Sequence, residues 1–131
     1  MENSRILVDT SVIIEFLRKQ KKPESLLWEL KEKYEGIYIS AITVFELFAG
    51  ATDERKRSDI ISLLHWLETM EFTEELGELS GKIYIEMKKK NKVIEFRDIF
   101  IGATAIFYSL ELATLNEKHF KNIPDIDLYI K

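Results

Sequence analysis

The sequence predicts an α/β fold: a three-layer α/β/α sandwich around a central, mainly parallel sheet of four to five strands. Short β-rich runs such as Ile6-Leu7-Val8 and Ile37-Tyr38-Ile39 alternate with longer stretches of helical apolar spacing. Strands separated by helices imply right-handed crossovers, which put helices on both faces of a parallel sheet. A length of 131 residues with 46% apolar content suits one compact core, so residues 1–131 are expected to form a single domain.

Each element has its own justification. Ile6-Leu7-Val8 ends abruptly in Asp9 and reads as a buried strand. It runs into a helix that Thr10 or Ser11 can cap and that Val12, Ile13, Ile14, Phe16 and Leu17 stripe. That helix fades in the run Arg18-Lys19-Gln20-Lys21-Lys22, and Pro23 marks a break. A second helix is expected over 24–34, with Leu26, Leu27, Leu30 and Tyr34 inward and Trp28 partly so. Gly36 ends it, 37–39 is the second strand, and Ser40 closes that strand. A third helix, 41–51, carries a single acid, Glu46. Asp53 opens a longer helix with Ile60, Ile61, Leu64 and Leu67 facing inward. Residues 71–73 read as a very short strand. The helix over 74–90 buries Leu76, Leu79, Ile83, Ile85 and Met87 and ends in a basic run, 88–92. Asp98 opens the most apolar helix, 99–109, whose flank Gly102-Ala103-Thr104-Ala105 is thin enough to lie close against a sheet. A strand at 112–115, a loop at 116–124 and an edge strand at 127–130 complete the chain. Trp28, Phe48 and Trp66 are expected in the core.

The totals exclude several chemistries. There are no cysteines, so disulfides, thiolate metal sites and cysteine nucleophiles are ruled out. A net charge of −4 does not attract polyanions globally, so a nucleic acid would be held by local basic patches. Asp9 and Glu15 interrupt any leader-like apolar opening, and the longest apolar run, 99–110, falls short of the roughly 20 residues a bilayer needs. The expectation is a soluble, cytoplasmic protein without a membrane partner.

Three acids share a setting. Asp9 ends the first strand, Glu46 lies in the first turns of the helix after the second strand, and Asp98 starts the apolar helix. Topology puts Asp9 and Glu46 on one edge of a parallel sheet, where ligands bind in open α/β folds. Clustered carboxylates repel unless a cation neutralises them, and Mg²⁺ takes hard oxygen ligands of this kind. Such an ion can activate a water and stabilise charge on a phosphoryl group. Each acid also has a structural alternative. Asp9 suits a helix cap, Thr43-Val44-Phe45-Glu46 matches a capping box, and Asp98 suits an N-cap or a helix-dipole partner.

Ile6-Leu7-Val8-Asp9-Thr10-Ser11-Val12-Ile13-Ile14 resembles the opening of the PIN domain, a family of metal-dependent ribonucleases. The stretch from Ile39 to Leu47, with Gly50 and Ala51, resembles that family's second segment, and Arg97 to Ala105 its third. The three occur in order along essentially the whole chain, and the size is similar to that of VapC-type toxins of toxin–antitoxin pairs. The resemblance implies that Asp9, Glu46 and Asp98 are catalytic and bind Mg²⁺ or Mn²⁺ to hydrolyse RNA phosphodiesters. It implies supporting roles for Thr10, Ser11 and Thr114. It further implies a cognate antitoxin and a homodimer. The family's usual fourth acid is missing from Ala113 to Phe120, where Asn116 and His119 stand instead. Asn116 or Glu117 remains a candidate further metal ligand, and His119 is expected to pack against its loop. Arg97 is the first choice for RNA contact, with Arg18 and Lys92 from the two basic runs behind it.

Rival readings are weaker. A haloacid-dehalogenase-type phosphatase needs a second Asp two residues after the first, where this chain has Ser11. A receiver domain needs an acidic pair ahead of it, and Asn3-Ser4-Arg5 offers none. A non-catalytic PIN-like RNA- or protein-binding module, or an RNA-processing nuclease without an antitoxin, keeps the fold and changes the role.

Overall fold

The structure, a computed structural model, describes residues 4–92 and 94–130. The elements in chain order are β1 (Arg5–Val8), α1 (Thr10–Arg18), a 3-10 turn (Lys22–Glu24), α2 (Leu26–Lys33), β2 (Gly36–Ser40), α3 (Ala41–Ala49), α4 (Glu54–Leu64), β3 (Glu68–Met70), α5 (Glu74–Lys89), α6 (Phe96–Phe107), β4 (Glu111–Ala113) and α7 (Glu117–Phe120). Among the described residues four strands form one sheet in the order β3-β2-β1-β4, and all three pairings are parallel.

Alternation along each strand builds the two outer layers. Ile6 and Val8 of β1, Ile37 and Ile39 of β2 and Ala113 of β4 face one side, where Val12, Ile13, Leu27, Leu30, Leu47, Ile60 and Leu63 pack on them. Leu7 and Leu112 face the other side and meet Leu76, Ile83, Met87, Ile99, Ile101 and Phe120. The first group of helices is therefore α1 to α4, and the second is α5 to α7. Fully burying one such aliphatic side chain contributes about 1.5–3 kcal/mol. The thin flank of α6 fits a close approach. A Cβ on Gly102 would stand 2.6 Å from Ile123 Cδ1, so any larger residue there displaces that side chain.

Several expectations are corrected. The third strand is Glu68–Met70, not 71–73. Glu68 and Thr69, on opposite faces, are both exposed at the sheet edge, so the strand lacks the apolar alternation that marks a buried one. Residues 127–130 form no strand. They contribute an isolated bridge, Leu112 to Leu128, with two backbone hydrogen bonds of 2.8 Å. Helix α6 stops at Phe107 because Ser109 turns left-handed at φ 57°, letting the Leu110 N–H reach back to the Ala105 carbonyl at 2.8 Å. The Lys92 N–H closes α5 in the same way on Met87, across left-handed Asn91. The loop at 116–124 contains α7. Ile61 and Ile85, expected inward, are exposed. Trp28 and Phe48 are half-buried, and Trp66 is exposed, in a T-shaped contact with Phe16 and with Lys31 Nζ over its ring. Among the described residues no helix is long and apolar enough to cross a membrane.

Candidate active site

The chain visits β1, β2 and β3 in one direction and then returns to place β4 on the other side of β1. The carboxyl ends of β1 and β4 thus flank the point where strand order reverses, the usual crevice of open α/β sheets. Asp9 follows β1 directly, and its N–H donates to Ala113 at the end of β4, 2.9 Å away. Its carboxylate is fully buried. The hydroxyls of Ser11 and Thr114 both donate to Oδ2 at 2.8 Å, leaving Oδ1 to face the cluster. Ser11 in turn accepts the Leu115 N–H at 3.1 Å, and Thr114 accepts that of Asn116 at 2.9 Å. Asp9 occupies the cap position of α1 without capping it through its side chain.

Glu46 arrives from the second turn of α3. Ser40, not Glu46, satisfies the start of that helix by accepting the Thr43 N–H at 3.0 Å. Glu46 is therefore available to the cluster, and the Thr10 hydroxyl donates to its Oε1 at 2.6 Å. Thr43 is buried 2.9 Å from that same hydroxyl and braces it. Asp98 lies in the first turn of α6, inside the helix and not at its cap, with its side chain 4% exposed.

One guanidinium joins all three acids. Arg97 Nε donates to Glu46 Oε2 at 2.5 Å, and Nη2 donates to Glu46 Oε1 at 2.9 Å and to Asp9 Oδ1 at 3.1 Å. Nη1 donates to Asp98 Oδ1. Burial would raise the Glu46 carboxyl, but hydrogen bonds from Arg97 and Thr10 outweigh it and hold the group below its ordinary value. Asp98 moves the other way, pushed up chiefly by burial against the opposing pull of Arg97 and His119. Arg97 is held above its ordinary value, first by its hydrogen bond to Glu46.

Sequence reasoning missed two participants. His119 does more than pack against its loop: Nδ1 lies 3.4 Å from Asp98 Oδ2. Thr43 was visible only as part of a capping pattern. Its place three residues after Ser40, at a helix start, was the available signal. The remaining candidates lie outside the cluster. Asn116 and Glu117 are exposed and line a depression with Leu26, Lys118 and Tyr129. Arg18 lines a groove of about 280 Å³ with Ile14, Lys56 and Glu46 itself. Lys92 lines another with Tyr84, Lys88 and Ile94.

The donors suit a hard divalent cation. All are oxygens, and three carboxylates converge on a single guanidinium. As placed, the described residues include no set of three His, Cys, Asp or Glu side chains in metal-binding geometry, and Arg97 stands between the acids.

The comparisons with known proteins identify the family of the fold. The PIN domain family matches residues 6–126. Ribonuclease VapC1 of Methanocaldococcus jannaschii is 34% identical over 130 residues, covering 98% of this chain and 88% of that protein. Ribonuclease VapC of Rickettsia bellii is 32% identical over 130 residues, covering 94% and 93%. Among solved structures, VapBC2 from Rickettsia felis, bound to a DNA fragment from its promoter, is similar with a TM-score of 0.86 at 27% identity. That likeness covers 95% of this chain and 97% of the other. With a family match running from the first strand to beyond the last, the chain belongs to the PIN domain family.

Proposed function

We propose that this chain is a metal-dependent endoribonuclease and the toxin of a toxin–antitoxin pair. The observation that carries the reading is the meeting of Asp9, Glu46 and Asp98, from three separate elements, at the carboxyl edge of the sheet beside β1 and β4. Support comes from relatives named as ribonucleases and from a structural neighbour solved as a VapBC complex. The proposed partners are an RNA substrate, an antitoxin protein and a second copy of this chain, and the proposed place of action is the cytoplasm.

Asp9, Glu46 and Asp98 would hold Mg²⁺ or Mn²⁺, with Asn116 or Glu117 as outer candidates. When bound, the ion supplies Lewis acidity to the phosphoryl group and lowers the cost of forming the attacking hydroxide. The protein's own share is orientation. Ser11 and Thr114 saturate one oxygen of Asp9 and so fix which oxygen faces the substrate side. Thr10 donates to Oε1 of Glu46 and so helps to hold that carboxylate in place. Such bracing keeps acids within the tolerance that catalysis requires. Arg18 lies with Lys56 along a groove that Glu46 also lines, so both are placed to follow a phosphate backbone there.

The purified chain, free of any antitoxin, is expected to cut RNA with Mg²⁺ or Mn²⁺ and to stop with EDTA. Asp9→Asn and Asp98→Asn should each lower the rate at least about a hundredfold while circular dichroism stays unchanged. Cleavage that survives both substitutions overturns the assignment.

A further inference from the structure

We propose that Arg97 is a positioning residue that gathers Asp9, Glu46 and Asp98 in the cation-free protein and yields its place to the divalent ion, so that guanidinium and metal compete for the same oxygens. The inference rests on the reading above that these acids bind a divalent cation, and adds what happens to the group already there.

The geometry carries it. Asp9 Oδ2 is occupied by Ser11 and Thr114, so Oδ1 is the oxygen left to give, and Arg97 Nη2 lies 3.1 Å from it. Glu46 spends both oxygens on the same fork, through Nε and Nη2. Asp98 Oδ1 accepts from Nη1. The three nitrogens of one planar group thus take up an oxygen of every acid. A divalent ion drawing on those oxygens would stand within a few ångströms of a permanent positive charge, and the two repel. Structural bracing alone explains the hydrogen bonds but sets three carboxylates against a single positive charge in a largely buried site. Exchange for a divalent ion brings twice that positive charge to the same oxygens, and it needs only side-chain rotation, since Arg97 sits in the first turn of α6 with 26% of its side chain exposed. A guanidinium released at the rim of the site is suited to a phosphate oxygen pair.

The test uses the full chain stripped with EDTA and then desalted, with no RNA present. Calorimetric titration with MnCl₂ compares the native protein, Arg97→Gln and Arg97→Lys. Competition requires tighter Mn²⁺ binding in Arg97→Gln, by about tenfold to about a hundredfold, with Arg97→Lys between the two. A parallel measurement on the native protein follows the Arg97 Nε–Hε resonance, assigned by its absence from Arg97→Lys. Saturating Mg²⁺ should shift it or expose it to solvent exchange. Should Arg97→Gln not fold, Arg97→Lys and the native resonance decide the matter. Equal or weaker Mn²⁺ binding in the variants, or a resonance unmoved at saturation, overturns the competition while leaving the metal site standing. No Mn²⁺ binding to any of the three proteins overturns the metal reading itself, and the competition with it.

Discussion

At the carboxyl end of the sheet, Asp9 and Asp98 are buried and tied to one another through Arg97. At the amino end, Arg5, Glu35 and Glu68 stay exposed around a depression of about 510 Å³, with Arg5 resting over the Tyr38 ring. Both ends carry acids and an arginine, but at the carboxyl end one guanidinium reaches three carboxylates from three elements. The difference teaches that volume is a poor guide to chemistry. It also shows where a fold holds charge out of water: beside strand ends that run straight into helix starts, as β1 does into α1 and β2 into α3. There the hydroxyls of Thr10, Ser11 and Thr114 stand close enough to donate to carboxylates. Buried charge without such donors costs several kcal/mol.

Removing a donor from the buried end is the sharpest way to break the contrast. Thr114→Val deletes one of the two hydroxyls on Asp9 Oδ2 at nearly constant shape. It is expected to weaken Mn²⁺ binding and RNA cleavage about tenfold to about a hundredfold, read by calorimetry and initial rates. An unchanged rate would mean that Ser11 suffices alone.

Next come the two acids that burial and pairing push in opposite directions. Asp98 titrates above its unfolded value in the native protein. Its contribution to stability is therefore full at low pH and is lost as pH rises through that native value. At neutral pH its charge is a net cost. Glu46 titrates below its unfolded value, so its contribution is present above the unfolded value and is lost as pH falls through the native one. In EDTA at neutral pH, Asp98→Asn should raise Tm by about 2–4 °C and Glu46→Gln should lower it by a similar amount. Below the carboxylate range both differences should shrink. Shifts of the same sign at neutral pH would show that Arg97 stabilises the two acids alike.

The smallest effect belongs to the exposed end. Arg5→Ala removes a charge from the amino edge and should change stability by less than about 0.5 kcal/mol in urea titration and leave RNA cleavage untouched. A loss of activity there would end the distinction between the two edges.

Much of this was readable from residues alone, and for clear reasons. Ile6-Leu7-Val8-Asp9 announces a buried strand ending in a carboxylate because apolar alternation and a sudden charge are local signals. Glu46 and Asp98 were placed at helix starts by the same kind of signal. The strand Glu68–Met70 is hard to see in the sequence because a partly exposed edge strand has little apolar pattern to display. The segment 127–130 looked like a strand, but after left-handed Asp125 it meets β4 at one bridge only. Arg97 looked like an RNA contact beside Asp98, and nothing local reveals that its guanidinium also reaches Glu46, 51 positions earlier, and Asp9, 88 earlier.

By itself, the order of residues determined the buried strands β1 and β2, which helices are amphipathic, and which acids stand at their junctions, because those properties follow from neighbours a few positions apart. Only the tertiary structure decided that β4 returns to lie beside β1, that Thr114 thereby reaches Asp9, and that a single arginine lies among three carboxylates. Those outcomes depend on strand order and side-chain direction, and both are fixed by packing across the whole sheet.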